Sequence, residues 1–313
     1  MHSFDISGRV AVVTGGYGVI GSVLGRGLSA AGARVAVLGR RRDAAGAEAA
    51  AIRAQGGDAI PLVADATNVD ELRVARGELL SAWGRIDILI NAAGGNVARA
   101  RSDTISVFEI PDDAFDEVLR LNLHGTVLPT MVFGEQMAKT GRGSIVNISS
   151  MAAVQALSGV MGYSVAKAGI DNFTRWLATD MARRHGDGVR VNAIAPGFFI
   201  TTQNRAVLVT EDGGHTERAR NILRETPMGR FGRPEELVGA VHWLCSDAAS
   251  FVTGAVVPID GGFSVFSGVW CGAVSLSEAK DLLSLVSDSR SFVAKPAVED
   301  RQGRTALHDE SCS

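Results

Sequence analysis

The chain has 313 residues, 46% hydrophobic and 21% charged, with a formal net charge of −3. That length suits one large α/β domain or two small ones, with a core big enough to stand without disulfides. The near-neutral balance leaves no electrostatic footprint for nucleic acid or an anionic membrane surface. Cys245, Cys271 and Cys312 form no CxxC pair, which fits a reducing compartment. The opening Met1-His2-Ser3-Phe4-Asp5 has neither the basic region nor the apolar stretch of a secretory signal. No apolar run approaches the roughly 20 residues of a membrane span. A cytoplasmic enzyme is the expectation.

In chain order, strand-length apolar runs alternate with longer helical segments. Residues 10–14 predict a first strand and 18–31 a helix of small residues. Strands follow at 34–38, 59–63, 86–91, 144–148, 189–195 and 256–259, and helices at 42–55, 68–83, 112–137, 161–184 and 234–245. Such alternation implies a Rossmann-type, doubly wound parallel α/β sheet with helices on both faces and ligands at the strands' carboxyl ends. Residues 197–228 interrupt the rhythm and read as a long functional loop, a substrate lid. Residues 1–269 are expected to form the domain, and 270–313 an extension in which 275–286 can form one amphipathic helix before a polar, disordered end.

Thr14-Gly15-Gly16-Tyr17-Gly18-Val19-Ile20-Gly21 joins the first strand to the first helix. Glycine there lets a pyrophosphate approach the backbone, and the helix start offers free N–H groups. The second strand ends in Gly39 and Arg40-Arg41-Arg42 rather than in an acid. An acid would repel a ribose 2′-phosphate and arginine would bind it, so NADP(H) is favoured over NAD(H), with Arg40 the leading candidate; otherwise these arginines are a solvated helix start. Asp65 either accepts from the adenine amino group or caps the helix near Asn68. The small residues of Asn91-Ala92-Ala93-Gly94 let the chain pass close to a cofactor.

Tyr163 and Lys167 stand four residues apart at a helix start, so phenol and ammonium share a face. A positive charge about 4 Å away is worth roughly 4 kcal/mol at a dielectric near 20, at most about three pKa units. Tyr163 is thus expected to exchange protons near neutral pH. Ser150, at the end of the fifth strand, can hold a substrate oxygen beside it, and the Asn122 amide can support a proton-relay water.

Together, residues 14–21 and 91–94, Asn122, Ser150, Tyr163, Lys167 and Pro196-Gly197 resemble the short-chain dehydrogenase/reductase family from about residue 4 to 269. The resemblance implies one Rossmann-type domain, a homotetramer or homodimer, and hydride transfer between a nicotinamide and a carbonyl or alcohol carbon. It implies Tyr163 as acid/base, Lys167 as activator of the phenol and ligand of the nicotinamide ribose, Ser150 polarising substrate and Asn122 in the relay. It places Phe199 and Thr201 near the carboxamide. The expected cofactor contacts are Gly15, Tyr17, Gly18, Val19, Ile20, Arg40, Asp65, Ala66, Asn91, Ala93, Tyr163, Lys167, Pro196, Gly197, Phe199 and Thr201. The chain departs from the family's glycine pattern at Val19, with Gly18 one place earlier.

Ala93-Gly94-Gly95-Asn96, Ser149-Ser150-Met151, Thr202-Gln203-Asn204-Arg205 and Asp260-Gly261-Gly262-Phe263-Ser264 are similar to the subgroup of D-mannonate oxidoreductases, which interconvert a keto-uronate and an aldonate. Gly39 stands where that subgroup implies an acid. A sugar acid needs a cation for its carboxylate and amides for its hydroxyls, so Arg99 and Arg205 are candidates for the first, and Asn96, Gln203 and Asn204 for the second, beside Ser150 and Met151. Another keto sugar, a polyol or a 3-ketoacyl substrate is the alternative. From another class, a nucleotide-sensing protein without chemistry also fits the fold, though Asn122, Ser150, Tyr163 and Lys167 together argue against it. The histidines show no metal-ligand spacing, so no catalytic metal is expected. Trp83, Trp176, Trp243 and Trp270 read as core or subunit-contact residues.

Overall fold

The computed structural model describes residues 3–269, save Thr104, Thr202 and Gln203. Strand β1 (Val10–Thr14) is buried on both faces. Val10 and Val12 pack with Leu72, Phe133 and Leu177 on one side. Ala11 and Val13 pack with Leu24, Ile52 and Leu244 on the other. Each fully buried Val or Leu contributes about 1.5–3 kcal/mol, so this two-sided burial is why the strand lacks polar alternation.

The remaining strands are β2 (Arg34–Gly39), β3 (Ala59–Val63), β4 (Ile88–Asn91), β5 (Gly143–Ile148), β6 (Val189–Pro196) and β7 (Val256–Ile259). All pair in parallel, in the order β3-β2-β1-β4-β5-β6-β7. The order reverses between β1 and β4, which opens a crevice at their carboxyl ends. Helices α1 (Val19–Ala30), α2 (Arg42–Ala54), α3 (Val69–Trp83) and α6 (Met161–His185) stand where the periodicity placed them. Asn68 caps α3, accepting from the N–H groups of Asp70 and Glu71. Asp65 therefore does not cap it; its carboxylate turns back onto the Thr67 N–H and hydroxyl, at 2.8 Å each.

Two expectations are corrected. The single helix over 112–137 is α4 (Asp112–Leu119) and α5 (Gly125–Thr140), separated by a π-turn at Arg120–His124. The Asn122 side chain donates to the Val118 carbonyl at 3.0 Å, and such a local side-chain bond competes with the regular ladder. The segment 197–228, expected as a long loop, carries helices. It holds α7 (Arg205–Leu208) and α8 (Glu217–Glu225). Leu208, Ala219 and Ile222 form a small core with Phe198, Val207 and Phe231. Helix α9 (Val238–Cys245) follows a 3₁₀ turn at Pro234–Leu237. Trp83 and Trp243 are partly buried against the core and Trp176 is exposed. Trp270 and the helix expected over 275–286 lie outside the described residues. Among those described, no helix is long and apolar enough to cross a membrane.

Candidate active site

The nucleotide turn closes against the end of β4. Thr14 Oγ1 accepts from the N–H groups of Ala92 and Ala93, both at 3.1 Å, which ties β1 to β4 at the crevice. Gly15 has φ +60°, and a Cβ on it would stand 2.9 Å from the Ala92 carbonyl oxygen and the Ala93 Cα. Only glycine fits that conformation and that gap. Helix α1 begins just beyond, with Gly18 at its cap and no side chain capping its first N–H groups. Its free N–H groups and dipole are left to a ligand. This uncapped helix start behind a Cβ-free turn fits a dinucleotide pyrophosphate.

Beyond the turn, the Tyr17 ring reaches β2: a Cβ on Gly39 would stand 2.2 Å from its Cε1. The Arg41 guanidinium lies 5.1 Å from the same ring's centroid. Arg40 is largely exposed and approaches the Asp65 carboxylate at 3.9 Å. Ala66 and Ala93 are half-buried and Asn91 is buried. The Asn91 amide donates to Thr130 and Asn147.

Tyr163 opens α6 and lines a cleft with Ser150 and Ile20. Ser150 Oγ also accepts from the Ala152 N–H at 3.1 Å. Lys167, only 4% exposed, sends its ammonium to the Ile148 carbonyl at 2.6 Å and lies 5.3 Å from the Tyr163 ring centroid. One turn on, the buried Asp171 accepts from the Ser149 hydroxyl. Asn122 is fully buried. Its amide donates to the Gly95 carbonyl at 2.8 Å and accepts from the Gly95 N–H at 3.0 Å. With the Val118 bond added, both its N–H groups are taken, so the side chain braces the β4 turn, and the relay water expected on its amide has no donor left there.

The cleft brings together Asn96, Ser150, Met151, Tyr163, Pro196, Gly197, Phe199, Thr201 and Asn204. Asn204 shapes its own loop, accepting from the Thr201 N–H at 2.7 Å and donating to the Phe199 carbonyl at 2.8 Å. Two expected cations are elsewhere. Arg99 pairs with Asp113 at 2.7 Å and Glu117 at 3.7 Å, away from the cleft. Arg205 is exposed on α7 and does not line it. Gln203 lies outside the described residues. The cleft carries instead Arg101, Asp103, Ser158 and Arg218, which the sequence reading missed. Arg101 and Asp103 are two residues apart, a weak signal. Arg218 lies in a charged segment with no mark of which arginine turns inward.

A family model described as enoyl-(acyl carrier protein) reductase matches residues 18–264. The chain is 42% identical to an uncharacterized oxidoreductase of Bacillus subtilis, over 85% of this chain and 98% of that one. The chain belongs to the short-chain dehydrogenase/reductase family. Among solved structures, a protein of Haemophilus influenzae provisionally described as a D-mannonate oxidoreductase, with bound NAD, is 39% identical, with TM-score 0.79 over 85% of this chain and 98% of that one. A gluconate 5-dehydrogenase of Burkholderia cenocepacia, in complex with NADP and tartrate, is 31% identical, with TM-score 0.76 over 84% and 97%.

This short-chain dehydrogenase/reductase is therefore an oxidoreductase acting on CH–OH groups with NAD(P). The electrostatics of its cleft differ from the simple ammonium–phenol picture. Burial raises the Tyr163 pKa above the ordinary tyrosine value, and only the Ser150 hydrogen bond opposes it. Lys167 has no part in this shift: its ammonium faces the ring, 5.3 Å from the centroid, and bonds to the Ile148 carbonyl. Burial also lowers Lys167, to about 8, against the pull of Asp171. Asp171 is itself raised, chiefly by burial.

Proposed function

We propose that the chain reduces the keto group of a sugar acid of the keto-uronate type, and oxidises the corresponding aldonate, with NADP(H) as the preferred cofactor. The observation that carries this is that Ser150 and Tyr163 line the wall of one polar cleft, with Lys167 buried on the same helix as the phenol. A carbonyl oxygen placed between the two hydroxyls takes a hydrogen bond from each. In reduction, Tyr163 gives its proton to that oxygen as negative charge develops there; a phenol raised by burial is protonated at neutral pH and ready to do so. Lys167, its own proton held loosely by a pKa of about 8, then returns a proton to the phenolate. The nicotinamide, when bound, supplies or accepts the hydride at the substrate carbon. Asn122 holds Gly95 and so keeps the β4 turn in place under it.

Substrate class rests on the charged and amide lining of the cleft and on the sugar-acid names of two relatives. Cofactor preference rests on Gly39, Arg40 and Arg41, since no acid stands at the end of β2 to repel a 2′-phosphate. We further read the chain as a cytoplasmic homotetramer or homodimer, with residues 1–269 as the catalytic domain. Purified protein mixed with NADPH or NADH and a panel of keto-uronates, neutral ketoses and 3-ketoacyl thioesters tests the reading at the reduced-nicotinamide absorbance band. Faster turnover of a keto-uronate with NADPH is expected. Preference for a thioester overturns the substrate, and equal turnover with NADH overturns the cofactor preference.

A further inference from the structure

We propose that Arg218, carried on α8, is the residue that binds the substrate's carboxylate, and that the neighbouring Arg101–Asp103 pair is self-neutralised and leaves this task to it. The proposal rests on the sugar-acid reading above and assigns it to one side chain.

Among the described residues, the charged side chains lining the cleft are Arg101, Asp103 and Arg218. They are not equivalent. Arg101 sends Nε to one Asp103 oxygen at 3.0 Å and a terminal nitrogen to the other. Its fork is closed on a carboxylate and its charge is matched. Arg218 donates to the Ser158 hydroxyl at 3.0 Å and the Ser158 carbonyl at 3.2 Å. Both acceptors are neutral, so no carboxylate is bonded to it, and Asp103, already forked by Arg101, feels its charge only at longer range. A guanidinium has five N–H donors, and a planar carboxylate takes two of them in parallel. Arg218 therefore has both the charge and the donors that a bound carboxylate needs.

The surroundings hold it in place. Helix α8 is capped by Thr216, which accepts from the Ala219 N–H at 3.2 Å, and Ala219 and Ile222 seat it on the lid core. A side chain on a packed helix is better fixed than one on a loop. The Ser102 N–H donates to the Gly159 carbonyl at 3.4 Å, beside Ser158. A Cβ on Gly159 would stand 3.0 Å from the Asp103 Cβ. Three segments thus meet around Arg218: residues 101–103, residues 158–159, and α8. With two arginines and one aspartate there, the wall holds one net positive charge, which favours a monoanion. Arg218 is half-buried, so its attraction for that anion is screened less than at an open surface.

Steady-state kinetics of the full chain with a keto-uronate and with the matched ketose, which has a hydroxymethyl group in place of the carboxylate, test this. Arg218→Gln is expected to raise KM for the keto-uronate roughly ten- to hundredfold and to leave KM for the neutral ketose within about twofold. Arg218→Lys should recover part of the loss. Asp103→Asn, which frees Arg101, should lower KM for the acid. NADPH binding by each variant checks that it is folded. A wild-type enzyme that turns over the keto-uronate, with an Arg218→Gln variant whose acid-to-ketose preference is unchanged, overturns the assignment of Arg218. A wild-type enzyme that turns over the ketose and no carboxylate-bearing ketone overturns the substrate reading beneath it.

Discussion

Tyr17 and Gly39 compete for one volume: a Cβ at residue 39 would stand 2.2 Å from the Tyr17 ring. The Tyr17 hydroxyl also accepts from the Arg41 N–H at 3.3 Å, and the Arg41 guanidinium rests against the ring. An aromatic ring and a cation therefore occupy the place where an acid would meet a ribose diol. Gly39→Asp alone should weaken both cofactors, because the new side chain must displace Tyr17. Paired with Tyr17→Ala it should favour NADH over NADPH by about tenfold, through repulsion of the 2′-phosphate. Fluorescence titration with each reduced nucleotide measures this. A clean switch to NADH by Gly39→Asp alone, with no loss of thermal stability, contradicts it.

Tyr163→Phe removes only the hydroxyl. Turnover should drop by about 10²–10⁴-fold, while melting temperature and NADPH affinity hold. Ser150→Ala acts differently. The Ser150 hydrogen bond lowers the Tyr163 pKa, so its loss should move the limb of the oxidation pH–rate profile to higher pH. An unmoved limb argues that the two hydroxyls are not coupled.

Buried Lys167 makes stability depend on pH. Its folded pKa of about 8 is below the ordinary lysine value of 10.5. Between those values the unfolded chain binds more protons, so Lys167 makes stability rise with pH across that window. Below about pH 8 the buried charge costs its full amount, roughly 3 kcal/mol. Lys167→Met should remove that slope. The buried Cys245 thiol, pushed up to about 12, gives an opposite slope above pH 9, which cancels when the variant is compared with wild type. Urea midpoints at intervals from pH 7 to 10.5 give the comparison; parallel curves for the two proteins rule the effect out.

Asn122→Ala leaves the Gly95 N–H and carbonyl without their side-chain partners in a buried place. The expected cost is about 2–4 kcal/mol by urea unfolding, with weaker NADPH binding as the β4 turn loosens. Asn122→Asp keeps the acceptor for the Gly95 N–H and loses both donors, so its loss should also be large. A change under about 0.5 kcal/mol for the alanine variant shows that the brace is dispensable.

Local order was enough to specify the sheet. A glycine turn between an apolar strand and a helix, repeated strand–helix alternation, and an acid/base pair four residues apart are short-range facts, and the backbone turns them into the β1–β4 crevice and the shared face of Tyr163 and Lys167. The π-turn at Asn122, the brace on Gly95, the rise rather than fall of the Tyr163 pKa, and the choice of Arg101 and Arg218 over Arg99 and Arg205 all came from the tertiary structure. Each depends on what distant elements put beside a side chain: Asp113 and Glu117 draw Arg99 away, Ser158 receives Arg218, and burial in the cleft raises the Tyr163 pKa. Pattern along the chain carries periodicity and spacing, while partner choice and burial exist only once separate segments have packed together.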